Sequence, residues 1–433
     1  MNPSEFARRR KTLMRMIGED AIAIVPSAES HIRNRDVEYP FRQDSDFLYL
    51  TGFEEPQAVA VLVPGRPHGE YLMFCRESDK EQETWHGRRA GVEGVLENLG
   101  ADDAFPVTDA DEIVPGLIEG RERVFYTMGR YTNFDARVMD WVNSVRRMSR
   151  GASHAPNEFV SLEYYLHDMR LYKSRAELSL MRRAARTSAR AHKRAMRTAR
   201  PGQMEFQVAA ELHYEFECDG CTPAYPSIVG GGENSCILHY TENSQELRDG
   251  DLLLIDAGAE CQGYAADVTR TFPVNGEFSP VQRDVYEIVL AAQQAAIDKV
   301  VPGNHWNDPH EAAVKVLSRG LVELGLLKGR TPKLIREGAY RQFYMHRTGH
   351  WLGMDVHDVG DYKIHDEWRL LEAGMALTVE PGLYITPARG VPKALRNIGI
   401  RIEDDVVVTR DGCEVLSRDA PKDPDEIEKL MAA

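Results

Sequence analysis

The sequence predicts an α/β protein of the α+β kind in two domains, residues 1–173 and 174–433. A mixed α/β N-terminal domain precedes a C-terminal domain of duplicated antiparallel half-domains. Three observations predict it. A chain of 433 residues outgrows the usual size of one hydrophobic core. Ser174-x-x-Glu177 is a capping box that opens a long helical run just after Leu171-Tyr172-Lys173, which marks the boundary. One device also occurs twice beyond that boundary. Gly250 and Gly374 each stand six residues before a carboxylate, Asp256 and Glu380, with an apolar strand between.

In the first domain, Ala21–Val25 and Ala58–Val63 are continuous apolar runs of strand length, and Val124-Phe125-Tyr126 is a shorter one. The stretch from Phe41 to Gly52 mixes charges with aromatics and is expected to be ordered. Trp85-His86-Gly87-Arg88-Arg89 is an exposed-looking patch. It is either plain surface or a subunit contact that helps wall a pocket, because Trp and Arg are enriched at interfaces.

The second domain opens with a helix expected to run to Arg200, stopped by Pro201-Gly202, and a second helix spans about Phe206 to Cys218. The first helix is strongly basic. A solvated face, or pairing with the acidic remainder of the chain, explains it better than a nucleic-acid role. Ile228–Ser235 is glycine-rich, but the dinucleotide GxGxxG spacing fails and a strand-like Cys236–Tyr240 follows. It reads as a tight loop that sets up His239. Leu252–Ile255 form a buried strand ending in Asp256, and Ala265–Thr269 form the next, carrying Asp267. If the turn centres on Cys261-Gln262, these two carboxylates stand opposite each other, about 5 Å apart at Cβ, and a bulge at Gly263 would shift that register. Helices follow at about Pro280–Lys299 and Pro309–Leu324. A strand from Ile400 to Val408 carries Arg401 and Glu403 on one face.

A formal net charge of −15 argues against a nucleic-acid partner, which wants a basic face. No apolar run approaches the roughly 20 residues of a membrane span, and the charged start of the chain lacks the apolar core of an export signal. A cytoplasmic protein is therefore expected. Six cysteines in so long a chain fit a reducing compartment, and the isolated Cys218-x-x-Cys221 carries little redox or metal information. His346-Arg347-Thr348-Gly349-His350 has HxxxH spacing but lacks the glutamate and the helix of a zincin. Neither a GxSxG elbow nor a phosphate-binding GxxxxGK[ST] loop occurs.

Asp256, Asp267, Glu380 and Glu403 with His350 make an oxygen-rich ligand set that favours hard divalent ions. Mn²⁺ comes first, with Co²⁺ or Zn²⁺ also accepted. Four carboxylates suit two ions about 3.5–4 Å apart, sharing a hydroxide. Arg401 is placed to orient one of the acidic ligands from behind.

Those five residues match, in type, order and context, the ligands of the pita-bread metallopeptidases, a family that includes methionine aminopeptidase, prolidase and aminopeptidase P. The chain most resembles aminopeptidase P (Xaa-Pro aminopeptidase). Arg42–Phe47, Tyr49–Phe53, His350–Asp358, Val379–Ile385 and Gly399–Asp404 carry the resemblance. It implies a creatinase-like N-terminal domain that helps form a homo-oligomer, a dimer or tetramer, and a pita-bread catalytic domain. Asp256 would chelate one metal, Asp267 and Glu403 would bridge both, and His350 and Glu380 would hold the other. Glu380 would also move protons to the leaving proline nitrogen. His239 and His357 would stabilise the tetrahedral intermediate. His346, Tyr384 and Arg401 would touch substrate or stand behind the ligands, and Trp85 would reach a neighbouring subunit's pocket. The substrate implied is a peptide with proline second. A prolidase would instead cleave only the Xaa-Pro dipeptide, and an inactive binding relative would lack ligands.

Overall fold

The computed structural model describes residues 1–148 and 154–433, and these form two compact units, Met1–Met169 and Arg170–Ala433. The N-terminal unit is a mixed six-stranded sheet flanked by helices. Its strands run in the order Asp103–Pro106, Tyr71–Cys75, Val59–Leu62, Ala21–Pro26, Arg123–Phe125, Glu158–Val160. Ile22, Ile24, Val61, Leu72 and Phe74 are fully buried among Val114, Ile118, Val138 and Trp141 of the covering helices. The segment around Phe47 is a short helix, Ser45–Thr51, capped by the Asp44 carboxylate on the Phe47 N–H and closed by left-handed Gly52. Trp85 lies on the helix Lys80–His86, which buries no side chain, and is 77% exposed.

The C-terminal unit repeats one plan. A helix pair, Arg175–Thr198 and Glu205–Cys218, precedes an antiparallel sheet of Ile228–Gly231, Leu252–Asp256 and Thr269–Pro273. A second pair, Pro280–Ile297 and Asp308–Glu323, precedes the sheet of Ala376–Val379, Asp404–Val408 and Cys413–Val415. The capping box of Ser174 and Glu177 is complete. The basic helix spends its charge within the unit, Arg182 on Glu414 at 2.7 Å, Arg190 on Asp219 at 3.2 Å, and Arg194 on Glu211.

The structure departs from the sequence reading at five places. The hairpin after Asp256 turns at Gln262-Gly263, both with positive φ, so Cys261 pairs with Tyr264 and Asp256 faces Thr269 rather than Asp267. Two left-handed residues in a two-residue loop match the twist of the flanking strands, and Gly263 supplies one of them freely. Asp256 and Asp267 still converge, each within hydrogen-bond reach of the Tyr225 hydroxyl. Ile228–Gly231 is a strand and not a loop, whereas Cys236–Tyr240 is not a strand. A 3₁₀ turn over Gly232–Cys236 runs into a turn at His239, with the Ile237 N–H bonded to the Asn234 carbonyl. Asp267 lies between Tyr264–Ala265 and Thr269–Pro273, not within a strand. Glu403 likewise falls in the break between Ile398–Arg401 and Asp404–Val408, where the chain passes from one sheet to another. The cysteines are not all reduced: Cys221 and Cys261 form a disulfide, while Cys218 stays free and exposed.

Arg270 ties the two half-domains together behind these breaks. Its guanidinium is 0% exposed, donates to the Asp404 carboxylate at 2.7 Å, and also meets the Glu403, Ala420 and Pro421 carbonyls. Burial works against the Asp404 charge, but Arg270 and Lys422 hold its carboxyl far below the usual range. Asp404→Ala would leave Arg270 buried without its counter-charge, which costs about 3–5 kcal/mol. A denaturant titration checks this, and a loss under about 1 kcal/mol would show that the pair is not a structural tie.

Candidate metal centre

The breaks in the strands make the site. Asp256 ends its strand, and Asp267 and Glu403 sit where their strands leave one sheet for another. Such places free side chains from the regular alternation and let them converge. His350 lies on a segment whose next residue, Trp351, bridges to Leu377, and Glu380 follows the strand Ala376–Val379. Two glycines permit the approach. A Cβ on Gly258 would stand 1.7 Å from the Ala266 carbonyl oxygen, and one on Gly349 would stand 2.0 Å from that of Thr378. Neither position admits another residue without moving a ligand-bearing strand.

The five groups meet. Asp267, His350 and Glu403 each offer one ligand atom, and those atoms lie within 4.8 Å of one another. His350 Nε2 is 3.3 Å from Asp267 Oδ2 and 3.8 Å from Glu380 Oε1, while its Nδ1 faces the Trp351 carbonyl at 2.9 Å. That hydrogen bond fixes the proton on Nδ1 and turns Nε2 to the carboxylates. Arg401 Nη2 donates to Asp256 Oδ2 at 2.6 Å and Nη1 to the Tyr384 hydroxyl at 3.0 Å. His346 Nε2 meets that same hydroxyl at 2.9 Å, and its Nδ1 stands 3.7 Å from Glu380.

So many buried carboxylates cannot all ionise on their own. Burial pushes Asp256 up to about 6, against Arg401, and Glu380 up to about 7, against His350 and Arg401. Burial, then the charges of Asp267, Glu380 and Asp256, hold Glu403 well above the carboxylate range. Only Asp267 of the four is held below it, because His350 and Tyr225 outweigh its burial. For His350, burial favours the neutral ring, yet the hydrogen bond and charge of Asp267 raise it to about 9. Burial, then Arg401, brings His346 down to about 3. A carboxylate cluster held this protonated by mutual repulsion is one that a divalent cation ionises, so the donor set fits hard metal ions.

These ligands line a cavity of about 610 Å³ together with His239, His346, His357 and Arg401. His357 stacks edge-on to His350 with ring centres 4.2 Å apart. Trp306, Tyr362, Trp368 and Arg347 complete the walls.

The sequence reading missed three supports. The Tyr225 hydroxyl reaches both Asp256 at 2.6 Å and Asp267 at 2.5 Å. Thr269 donates to Glu403 at 2.6 Å. The Asp405 carboxylate accepts the Asp267 N–H at 3.1 Å. Tyr225 sits between prolines in a stretch that reads only as a turn, so nothing local marks it. Asp405 had a signal, since an acidic pair leading an apolar strand and fully buried is uncommon.

Comparison with known proteins fits this geometry. The sequence model of metallopeptidase family M24 matches residues 179–410, and that of the aminopeptidase P N-terminal domain matches residues 6–126. The chain is 46% identical to the Xaa-Pro aminopeptidase of Escherichia coli (strain K12) over 431 residues, 99% of this chain and 98% of that one. It is 42% identical to that of Haemophilus influenzae over 428 residues, covering 99% and 97%. Among solved structures, Pseudomonas aeruginosa aminopeptidase PepP superposes with a TM-score of 0.99 at 59% identity, covering 100% of this chain and 98% of the other. Proline aminopeptidase P II from Yersinia pestis gives 0.97 at 48% with both chains fully covered. These likenesses span both units, and the chain belongs to metallopeptidase family M24, with an aminopeptidase P N-terminal domain ahead of its pita-bread peptidase domain.

Proposed function

We propose that the protein is an Xaa-Pro aminopeptidase that releases the N-terminal residue from peptides with proline in second position. The observation that carries this is the meeting of Asp256, Asp267, His350, Glu380 and Glu403 in one cavity walled by three further histidines. Asp256 would hold one ion, His350 and Glu380 the other, and Asp267 and Glu403 would serve both. Two manganese ions suit four carboxylates and one imidazole best, and cobalt or zinc also fit. A zinc-substituted Escherichia coli aminopeptidase P is among the similar structures. The ions supply Lewis acidity and a nucleophilic water at neutral pH. Glu380, which lines the same cavity, would take the proton of the attacking water and return it to the leaving proline nitrogen. His239 and His357 donate to the developing oxyanion and hold the residue before the scissile bond. His346 and Arg401, joined through the Tyr384 hydroxyl, make the wall on the proline side.

A homo-oligomer, dimer or tetramer, belongs to the same reading, with exposed Trp85 as the residue offered to a neighbouring copy. Four free cysteines support a cytoplasmic location, and the Cys221–Cys261 disulfide counts against it. Thiol trapping at cell lysis decides between them. No helix among the described residues is long and apolar enough to cross a membrane.

The direct test is an assay with added Mn²⁺ on Xaa-Pro-Xaa tripeptides and Xaa-Pro dipeptides. The tripeptides are expected to be cut, with activity lost in EDTA and regained on adding Mn²⁺. Cleavage of the dipeptide alone would move the protein to the prolidases. No cleavage, with no metal bound, would make it an inactive relative.

A further inference from the structure

Beside the metal cavity lies a larger groove of about 1400 Å³, walled by the helices Pro280–Ile297, Asp308–Glu323 and Thr331–Arg336. The two spaces adjoin, with Arg347 and Trp368 lining both. Arg347 follows His346 in the chain, so the junction opens on the wall assigned above to the proline side. Trp368 stands there between two cations. The Arg347 guanidinium carbon is 4.9 Å from its ring centre and Lys363 Nζ is 4.7 Å from it.

The charge of this groove opposes that of the protein. The chain carries a net −15, yet the groove is lined by six Lys and Arg side chains against three Asp and Glu. Among the described residues, Lys315, Arg336 and Arg341 have no carboxylate at ion-pair distance, and all three are exposed. The acidic members are held by neutral donors and keep their charge, so the lining carries three more cations than anions. Asp308 accepts the His305 N–H, Glu311 the Asn307 amide and Asp298 the Gln294 amide. His310 also lies on the groove wall. Burial, then Arg347 and Arg341, bring it down to about 4. A cationic cleft within a low-dielectric wall concentrates anions.

We propose that this groove binds the downstream part of longer peptide substrates and selects those carrying carboxylates there. The proposal rests on the peptidase reading and adds to it a preference that the metal cavity alone cannot express. A tripeptide ends near the junction and leaves the groove empty, whereas a peptide of eight residues, at most ~3.5 Å per residue, runs well into it. Contacts that bind substrate and transition state alike raise kcat/KM by lowering KM and leave kcat little changed.

The test compares two octapeptides that share an Xaa-Pro-Ala-Ala start and end in either four glutamates or four lysines, with an Xaa-Pro-Ala tripeptide as reference. The glutamate tail is expected to give roughly tenfold higher kcat/KM than the lysine tail, the ratio shrinking as salt is raised. Charge reversal at Lys315, Arg336 and Arg341 together, each to Glu, is expected to bring the ratio to one or below. If that triple variant does not fold, Arg336→Glu alone should lower the ratio in the same direction. Equal kcat/KM for the two tails in the unmodified protein, or a ratio that charge reversal leaves in place, overturns the proposal. Failure to cut the tripeptide would instead overturn the peptidase reading.

Discussion

Asp267→Ala is expected to abolish turnover and bound metal together. Asp267 is held from three sides. Its carboxylate touches His350 and Tyr225, and its backbone N–H is held by the Asp405 carboxylate. On the proposed reading Asp267 serves both ions, so its loss would leave both under-coordinated. Turnover should fall by at least ~10³-fold, which corresponds to about 4 kcal/mol of lost transition-state stabilisation. Metal content is read by elemental analysis of protein purified without added ions and then dialysed against Mn²⁺. A thermal melt of the metal-free forms separates this effect from misfolding. A variant that kept wild-type metal stoichiometry and activity would refute the bridging role.

Much of this site was legible because metal chemistry constrains residue type more tightly than geometry does. The repeated glycine, strand and carboxylate pattern exposed Asp256 and Glu380, and the duplicated plan of helix pair and sheet accounts for it. The capping box at Ser174 was readable because its two partners lie three residues apart. The hairpin register was not, because it depended on which dipeptide turns. Gln262 adopts φ of +52°, a conformation that non-glycine residues seldom take, so Gln262-Gly263 gave a weaker turn signal than the register required. Tyr225 and Arg270 act on partners 31 to 151 residues away, and the Cys221–Cys261 disulfide spans 40. Pairings of that kind leave no periodic trace in one sequence. The strand break at Glu403 was read through because strand-forming residues stand on both sides, Ile400 and Ile402 before it and Val406–Val408 after it, and only the pairing shows that the two runs belong to different sheets.

Glu380→Gln separates ligation from proton transfer, and kcat should fall by ~10²–10⁴-fold with a much smaller change in KM. Glu380 is placed by its backbone, whose N–H donates to the Thr348 carbonyl at 2.8 Å, and by Pro381 after it. Glutamine keeps that placement and keeps an oxygen for the ion, but it can neither accept a proton nor return one. On the proposed reading substrate binding rests on the histidine wall and Arg401, which line the cavity and which the amide leaves in place. Glu380→Asp is the matching control. It preserves the charge and the titrating group but pulls both oxygens back by one methylene, toward the end of the strand Ala376–Val379. If proton carriage dominates, the aspartate variant should stay well above the glutamine variant in kcat even though its ligation geometry is worse. If ligation dominates, the order reverses, because a misplaced carboxylate starves the ion while a well-placed amide oxygen does not. The ranking of the two variants at matched metal content therefore decides which task the site requires of this residue.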